Sequence, residues 1–215
     1  MIDCGALLFD LDGTLVDSAH VLERTWTTWA SIHNLNAADV VAFVHGRRAI
    51  ETVQHFVPGS NLLAEVARVQ GIELSELESI LPMPGAMETL DVLTPKQWAV
   101  VSSGSRALAI ARLVAAGLET PPVLITAEDV GRGKPDPEGY LAAALRLGVD
   151  PMDCIVLEDS PSGVKAGKLA GCVVIGIAST HRPDELSAAD GIVPSLTSIR
   201  FGRKDGRVAL TLRSH

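Results

Sequence analysis

The chain has 215 residues, 47% of them hydrophobic and 4% aromatic, and carries a formal net charge of −8. That length holds one large α/β domain or a core domain with an insert, and so apolar a composition excludes global disorder. The acidic balance argues against a nucleic-acid partner, which clustered Lys and Arg would bind, and leaves room for a small anionic substrate at a locally positive, metal-assisted site.

Cys4, Cys154 and Cys172 each sit in or beside an apolar run, with no CxxC pair and no zinc spacing, and read as buried reduced thiols. No stretch approaches the roughly 18 apolar residues of a membrane helix, and no basic-then-apolar leader opens the chain. These features predict a soluble cytoplasmic protein without a membrane partner.

In chain order, Ala6 to Asp10 is a short apolar run ending in an acid, continued as Asp10-Leu11-Asp12-Gly13-Thr14. Two carboxylates at i and i+2 off a strand end can face one crevice, one as nucleophile and one shuttling a proton. An Asp-rich turn closing a strand would look the same. From Val16 to Leu81 only helical patterns follow, broken by Asn34-Leu35-Asn36, Pro58-Gly59-Ser60 and Gly71, before Pro82-Met83-Pro84-Gly85. This predicts an all-helical insert over 16–83, with 1–15 and 84–215 as the core. Within the insert, His45-Gly46-Arg47-Arg48 is either a substrate-facing stretch or a charged helix start on the surface.

Trp98 to Val101 is the next apolar run, ending in Ser102-Ser103-Gly104-Ser105. The Ser103 hydroxyl and the free amides at Ser103 and Gly104 suit phosphate oxygens, although a serine there also suits a helix cap. A helix over Ser105–Ala116 and a strand over Val123–Thr126 lead to Gly131-Arg132-Gly133-Lys134-Pro135-Asp136-Pro137, a stiff loop that presents Lys134 as a point charge. After a helix over Pro137–Leu147, the run Ile155 to Glu158 ends in adjacent acids, Glu158 and Asp159, which suit Mg²⁺ together with Asp10 or a solvated turn. A helix over Pro161–Ala170 and a strand over Val173–Ile177 follow, and Gly117, Gly148 and Gly171 stand where the helices should stop. In the tail, Arg200 to Lys204 reads as turn-like, and Val208, Leu210 and Leu212 as a short edge strand. The alternation predicts a doubly wound, three-layer α/β core around a parallel sheet, with ligands bound at the carboxyl ends of its strands.

DLDGT, the Ser after WAVV, GKPDP and LEDSPSG, in this order, resemble the four signature motifs of the haloacid dehalogenase superfamily, over Ala6 to about Leu196. The resemblance implies a magnesium-dependent phosphatase acting on a small phosphorylated metabolite. Asp10 would become the aspartyl phosphate, and Asp12 would protonate the leaving alkoxide and then activate water. Asp10, the main-chain carbonyl of Asp12 and Asp159 would hold Mg²⁺, with Glu158 as a direct or indirect partner. Ser103, Gly104 and Lys134 would bind phosphoryl oxygens. The helical insert is similar to the family's small cap, and its HGRR stretch and Trp26 to the sugar phosphate and glycerol phosphate phosphatases, which makes His45 and Arg48 substrate contacts. The chain is expected to act as a monomer or weak homodimer. A β-phosphoglucomutase-like mutase shares all four motifs but has a His twelve residues after the nucleophile, where Leu22 stands here, and His20 lies two residues too early. A binding protein on this fold would have signalled itself by a lost motif residue.

Overall fold

A computed structural model describes residues 2–212. The chain runs through β1 (Ile2–Cys4) and β2 (Ala6–Phe9) to β3 (Val16–Asp17), which leads into four helices, α1 (Ala19–Ile32), α2 (Ala37–Val44), α3 (Ala49–Phe56) and α4 (Leu62–Ser75). Strand β4 (Leu81–Pro82) returns it to α5 (Ala86–Asp91), β5 (Trp98–Val101), α6 (Arg106–Ala115), β6 (Leu124–Ile125) and α7 (Glu138–Leu147). Then come β7 (Cys154–Glu158), α8 (Pro161–Leu169), β8 (Val173–Ile177), β9 (Gly191–Val193), β10 (Ile199–Lys204) and β11 (Arg207–Leu212).

Six strands form a parallel sheet in the order β6-β5-β2-β7-β8-β9. Both faces are covered. Leu7 and Phe9 pack with Trp98, Val100 and Leu113 on one side, and Ala6 and Leu8 with Ala99, Tyr140 and Val164 on the other. Burial on two faces is why these strands are continuous apolar runs rather than alternating ones. The chain builds outward from β2 through β5 to β6, then crosses back to place β7 on the other flank of β2. That reversal opens a crevice at the carboxyl ends of β2 and β7. Helix signals act where the sequence puts them. Ser105 caps α6 at Leu108 N (3.3 Å), Ser160 caps α8 at Gly163 N (3.1 Å) ahead of Pro161, and Gly148, left-handed at φ 71°, closes α7.

The helices α1 to α4 bury a cluster of their own around Trp26, Trp29, Val40, Val53 and Val69. Gly71 does not break this region, as its sequence suggests, but lies inside α4. Nor is the insert free of strands at its ends. Val16–Asp17 and Leu81–Pro82 run side by side as an antiparallel pair, so that the two crossing segments satisfy each other's backbone groups.

The tail also departs from its expectation. Arg200 to Lys204 lies in β10, not a turn, and β11 is no edge but the middle of an antiparallel sheet, β1-β11-β10. The turn is at Asp205-Gly206, both at positive φ (51° and 79°), as a two-residue hairpin loop requires. The three cysteines are buried without disulfides, and no described helix is long and apolar enough to cross a membrane.

Candidate active site

Because β2 and β7 are neighbours, the residues that leave their carboxyl ends face each other. Asp10 follows β2, Glu158 ends β7 and Asp159 comes next; all three are buried, and one oxygen of each lies within 4.8 Å of the others. The loop before α7 drives Lys134 into this cluster. Its ammonium donates to Asp10 Oδ1, to Glu158 Oε1 (2.6 Å) and to the Val101 carbonyl (3.2 Å).

Glu158 is saturated. Oε1 accepts from Lys134 and the Tyr140 hydroxyl (3.0 Å), and Oε2 from the Ser160 amide (2.9 Å) and hydroxyl (3.0 Å). A carboxylate offers about four such positions. Asp10 and Asp159 keep acceptor capacity, the latter taking one hydrogen bond from the Thr180 hydroxyl on Oδ2.

Three carboxylates share one ammonium, and the proton affinities of Asp10 and Asp159 show the strain. Burial, then the charges of Glu158 and Asp12, outweigh the pull of Lys134 and push Asp10 up to about 8. Burial, then Asp10 and Glu158, raise Asp159 well above the usual carboxylate range. Burial works against the charge of Lys134, but Asp10 and Glu158 together overcome it and hold the ammonium protonated. A cluster of hard oxygens short of positive charge, with unfilled acceptor positions on two members, fits a divalent cation.

Asp12 stands beside this cluster, its Oδ1 accepting from the Ser18 hydroxyl (2.6 Å) and from Arg112 (2.7 Å). These side chains, with Ser103, Gly104, His45 and Arg48, line one cavity of about 300 Å³ between the sheet edge and the helical insert. Ser103 is not the helix cap, a role Ser105 fills; its hydroxyl donates to the Gly46 carbonyl (2.9 Å) across the cavity. The Gly104 amide donates to the Ser102 hydroxyl (3.0 Å). His45 brings its ring 5.2 Å from that of His181, whose Nδ1 lies 3.0 Å from the Asp159 carbonyl; burial, then His181, lower the His45 pKa. Arg48 pairs with Glu51 (2.6 Å) and donates to the Val130 carbonyl (3.2 Å), while Glu51 accepts from the Gly133 amide (3.3 Å). It grips the loop that presents Lys134.

Sequence reasoning missed Tyr140, Thr180, Arg112 and Glu73. Arg112, 2% exposed, spans from Asp12 to Glu73 on α4 (2.9 Å). A helical-period signal was present, since Arg112 falls one turn after Leu108 and beside Leu113, on the buried face of α6.

The model of haloacid dehalogenase-like hydrolases matches residues 4–171. The chain is 44% identical over 201 residues to hexitol phosphatase A of Escherichia coli strain K12, covering 91% of this chain and 93% of that one. It is 35% identical over 211 residues to glycerol-1-phosphate phosphohydrolase 2 of Saccharomyces cerevisiae, covering 92% and 84%. A solved β-phosphoglucomutase from Clostridium difficile superposes with a TM-score of 0.80 over 90% of this chain and 92% of that one, but at 22% identity it speaks to the fold alone. With its motifs gathered in one crevice and relatives matching along nearly its whole length, the chain belongs to the haloacid dehalogenase-like hydrolase family.

Proposed function

We propose that the protein is a phosphatase that hydrolyses a small phosphomonoester of the sugar or polyol phosphate class through an aspartyl phosphate on Asp10. The observation that carries this reading is the meeting of three buried carboxylates and one buried ammonium, of which Asp10 and Asp159 open onto a cavity also lined by a fourth carboxylate, Asp12. Mg²⁺ suits the site, held by Asp10, Asp159 and the Asp12 main-chain carbonyl, and when bound it supplies positive charge against the phosphoryl oxygens. Glu158 serves from behind, fixing Lys134.

An Asp10 oxygen attacks phosphorus in line while the bond to the leaving oxygen breaks, and Asp12 gives that oxygen its proton. The products are the alcohol, the acyl phosphate on Asp10 and an Asp12 carboxylate. Asp12 then takes a proton from water, whose oxygen attacks phosphorus and returns Asp10 as carboxylate with release of phosphate. Lys134 and Ser103 steady the phosphoryl oxygens, Ser103 exchanging the Gly46 carbonyl for one of them. Positioning and charge neutralisation do most of the work in such transfers. Residues 16–83 act as the cap that excludes bulk water.

The substrate class rests on the named activities of the relatives and on a cavity of about 300 Å³ with Gln70 and His45 in its wall, a suitable lining for hydroxyl groups. Against a mutase stands Leu22, which lines the cavity, whereas His20 is exposed. A panel of hexitol, hexose and glycerol phosphates, phosphoglycolate and nucleotides, assayed with Mg²⁺, tests the reading. We expect a sugar or polyol phosphate to lead the nucleotides by about 100-fold in kcat/KM, a gap of about 2.7 kcal/mol, and EDTA to abolish turnover. Hydrolysis undiminished in EDTA, or a preferred nucleotide, would overturn it.

A further inference from the structure

Arg112 is placed oddly for a residue that only stabilises the fold. It is buried on α6 with a carboxylate on either side, Asp12 from the loop after β2 and Glu73 from α4. Among the described residues its guanidinium has no other hydrogen-bond partner, and Nε has none at all. Buried ionic groups cost desolvation that a well-packed apolar pair would not, so the arrangement is poor evidence for stability as its purpose. Among the described residues, Arg112–Glu73 is also the only ion pair that joins the helices of the insert to the core.

The geometry points to Arg112 as a positioning residue for Asp12, with Glu73 making that positioning depend on closure of the helical insert. This rests on the reading of Asp12 as the proton donor and acceptor. Ser18 and Arg112 both donate to Oδ1 of Asp12, which fills the two lone pairs of that oxygen. The transferable proton is therefore carried on Oδ2, and the two donors fix where Oδ2 points. Ser18 comes from the segment that leads into the insert and Glu73 from the far helix of it, so both holds on Asp12 trace to the same moving part. When the insert is seated, Glu73 clamps the outer edge of the guanidinium and the inner edge holds Asp12 in place. When it lifts, Arg112 loses one of its two anchors and Asp12 its fixed orientation. Proton transfer to the leaving oxygen is then competent only over a closed cavity.

The test replaces the pair together, Glu73→Leu with Arg112→Met, so that no lone buried charge is left, alongside each single change and Asp12→Ala. Single-turnover release of the alcohol from an alkyl phosphate is compared with release of nitrophenolate from p-nitrophenyl phosphate, whose good leaving group needs no proton. We expect the paired variant to keep its thermal midpoint within a few degrees, to lose about 30-fold or more in alcohol release, and to change nitrophenolate release by less than about threefold. Glu73→Leu alone should show the same asymmetry, and its loss should not add to that of Arg112→Met, as expected for residues acting through one contact. An unchanged alcohol rate in the paired variant, an equal loss on both substrates, or additive single losses would overturn the inference. Asp12→Ala separates the two levels. If it discriminates between leaving groups and the paired variant does not, only the role of Arg112 falls; if Asp12→Ala itself does not discriminate, the reading of Asp12 falls and takes this inference with it.

Discussion

Asp10 and Asp159, buried together beside a single lysine, cannot both ionise without a cost in folding free energy. Asp10 is pushed up to about 8, first by burial and then by its acidic neighbours, from an ordinary 3.8, and Asp159 moves the same way. Between those values the folded protein holds protons that the unfolded chain has released, so metal-free stability must fall as pH rises from about 4 to about 8. Thermal unfolding in EDTA should show the midpoint dropping across that window, and Mg²⁺ should raise it more at pH 8 than at pH 5. A midpoint in EDTA that is flat or rises over the window would contradict the account. Asp10→Asn removes one of the contending charges, so the metal-free variant should be more stable than wild type at pH 8 while turnover falls at least about 1000-fold, an amide being unable to form the acyl phosphate. Unfolding curves and steady-state assays measure the two halves. At this scale the sequence was legible where each acid, hydroxyl or lysine follows an apolar run, as Asp10, Asp12, Ser103, Lys134, Glu158 and Asp159 do. Arg112 and Glu73 were passed over: the helical period sets Arg112 on the buried face of α6, but a charged residue on a helix reads as surface until its partner on another helix is known.

The start of α8 shows how one element holds the site. Ser160 binds Glu158 through amide and hydroxyl, and a Cβ at Gly163 would collide with the same carboxylate. Gly163→Ala should therefore cost about 1–3 kcal/mol, the usual range for forcing extra bulk into a packed site, and should lower kcat about 10-fold or more by displacing Glu158 from Lys134. Gly71 makes the opposite case. It lies inside α4 with nothing within 4 Å of where its Cβ would stand, so Gly71→Ala should stabilise by about 0.5–1 kcal/mol with kcat unchanged. Denaturant titration and kcat for both variants check the contrast, and equal shifts of one sign would refute it. Elements were legible where the apolar period was long, as in β5, β7, β8, α6 and α7. Gly71 misled because local propensity was overruled by packing along α4. The tail misled because basic side chains on β10 resemble a turn, although Asp205-Gly206 is the stronger hairpin signal. Strands as short as β3, β4 and β9 leave no period to read.

For the whole molecule, the account depends on a core that performs the chemistry and an insert that admits the substrate and shuts out water. Several polar contacts hold the two together around the cavity: Gly46 on Ser103, Arg48 on the Val130 carbonyl, Glu51 on the Gly133 amide and Glu73 on Arg112. Arg48 was expected from its motif to touch the leaving group, but its guanidinium is engaged with Glu51 and the loop of Lys134, so its effect on substrate choice should come through closure. Arg48→Ala should lower kcat/KM for an alkyl phosphate about 10-fold or more and spare p-nitrophenyl phosphate to within about threefold, since only the poorer leaving group needs the closed arrangement. Equal losses on both would mean that Arg48 serves the phosphate site or the fold. The central claim is the covalent step at Asp10, and the most direct measurement is acid-quenched trapping during turnover of a ³²P-labelled sugar or polyol phosphate, followed by peptide mapping. The account predicts an acid-stable, hydroxylamine-labile label on the peptide carrying Asp10, absent from Asp10→Asn; turnover without any labelled protein, or a label on another residue, would contradict it.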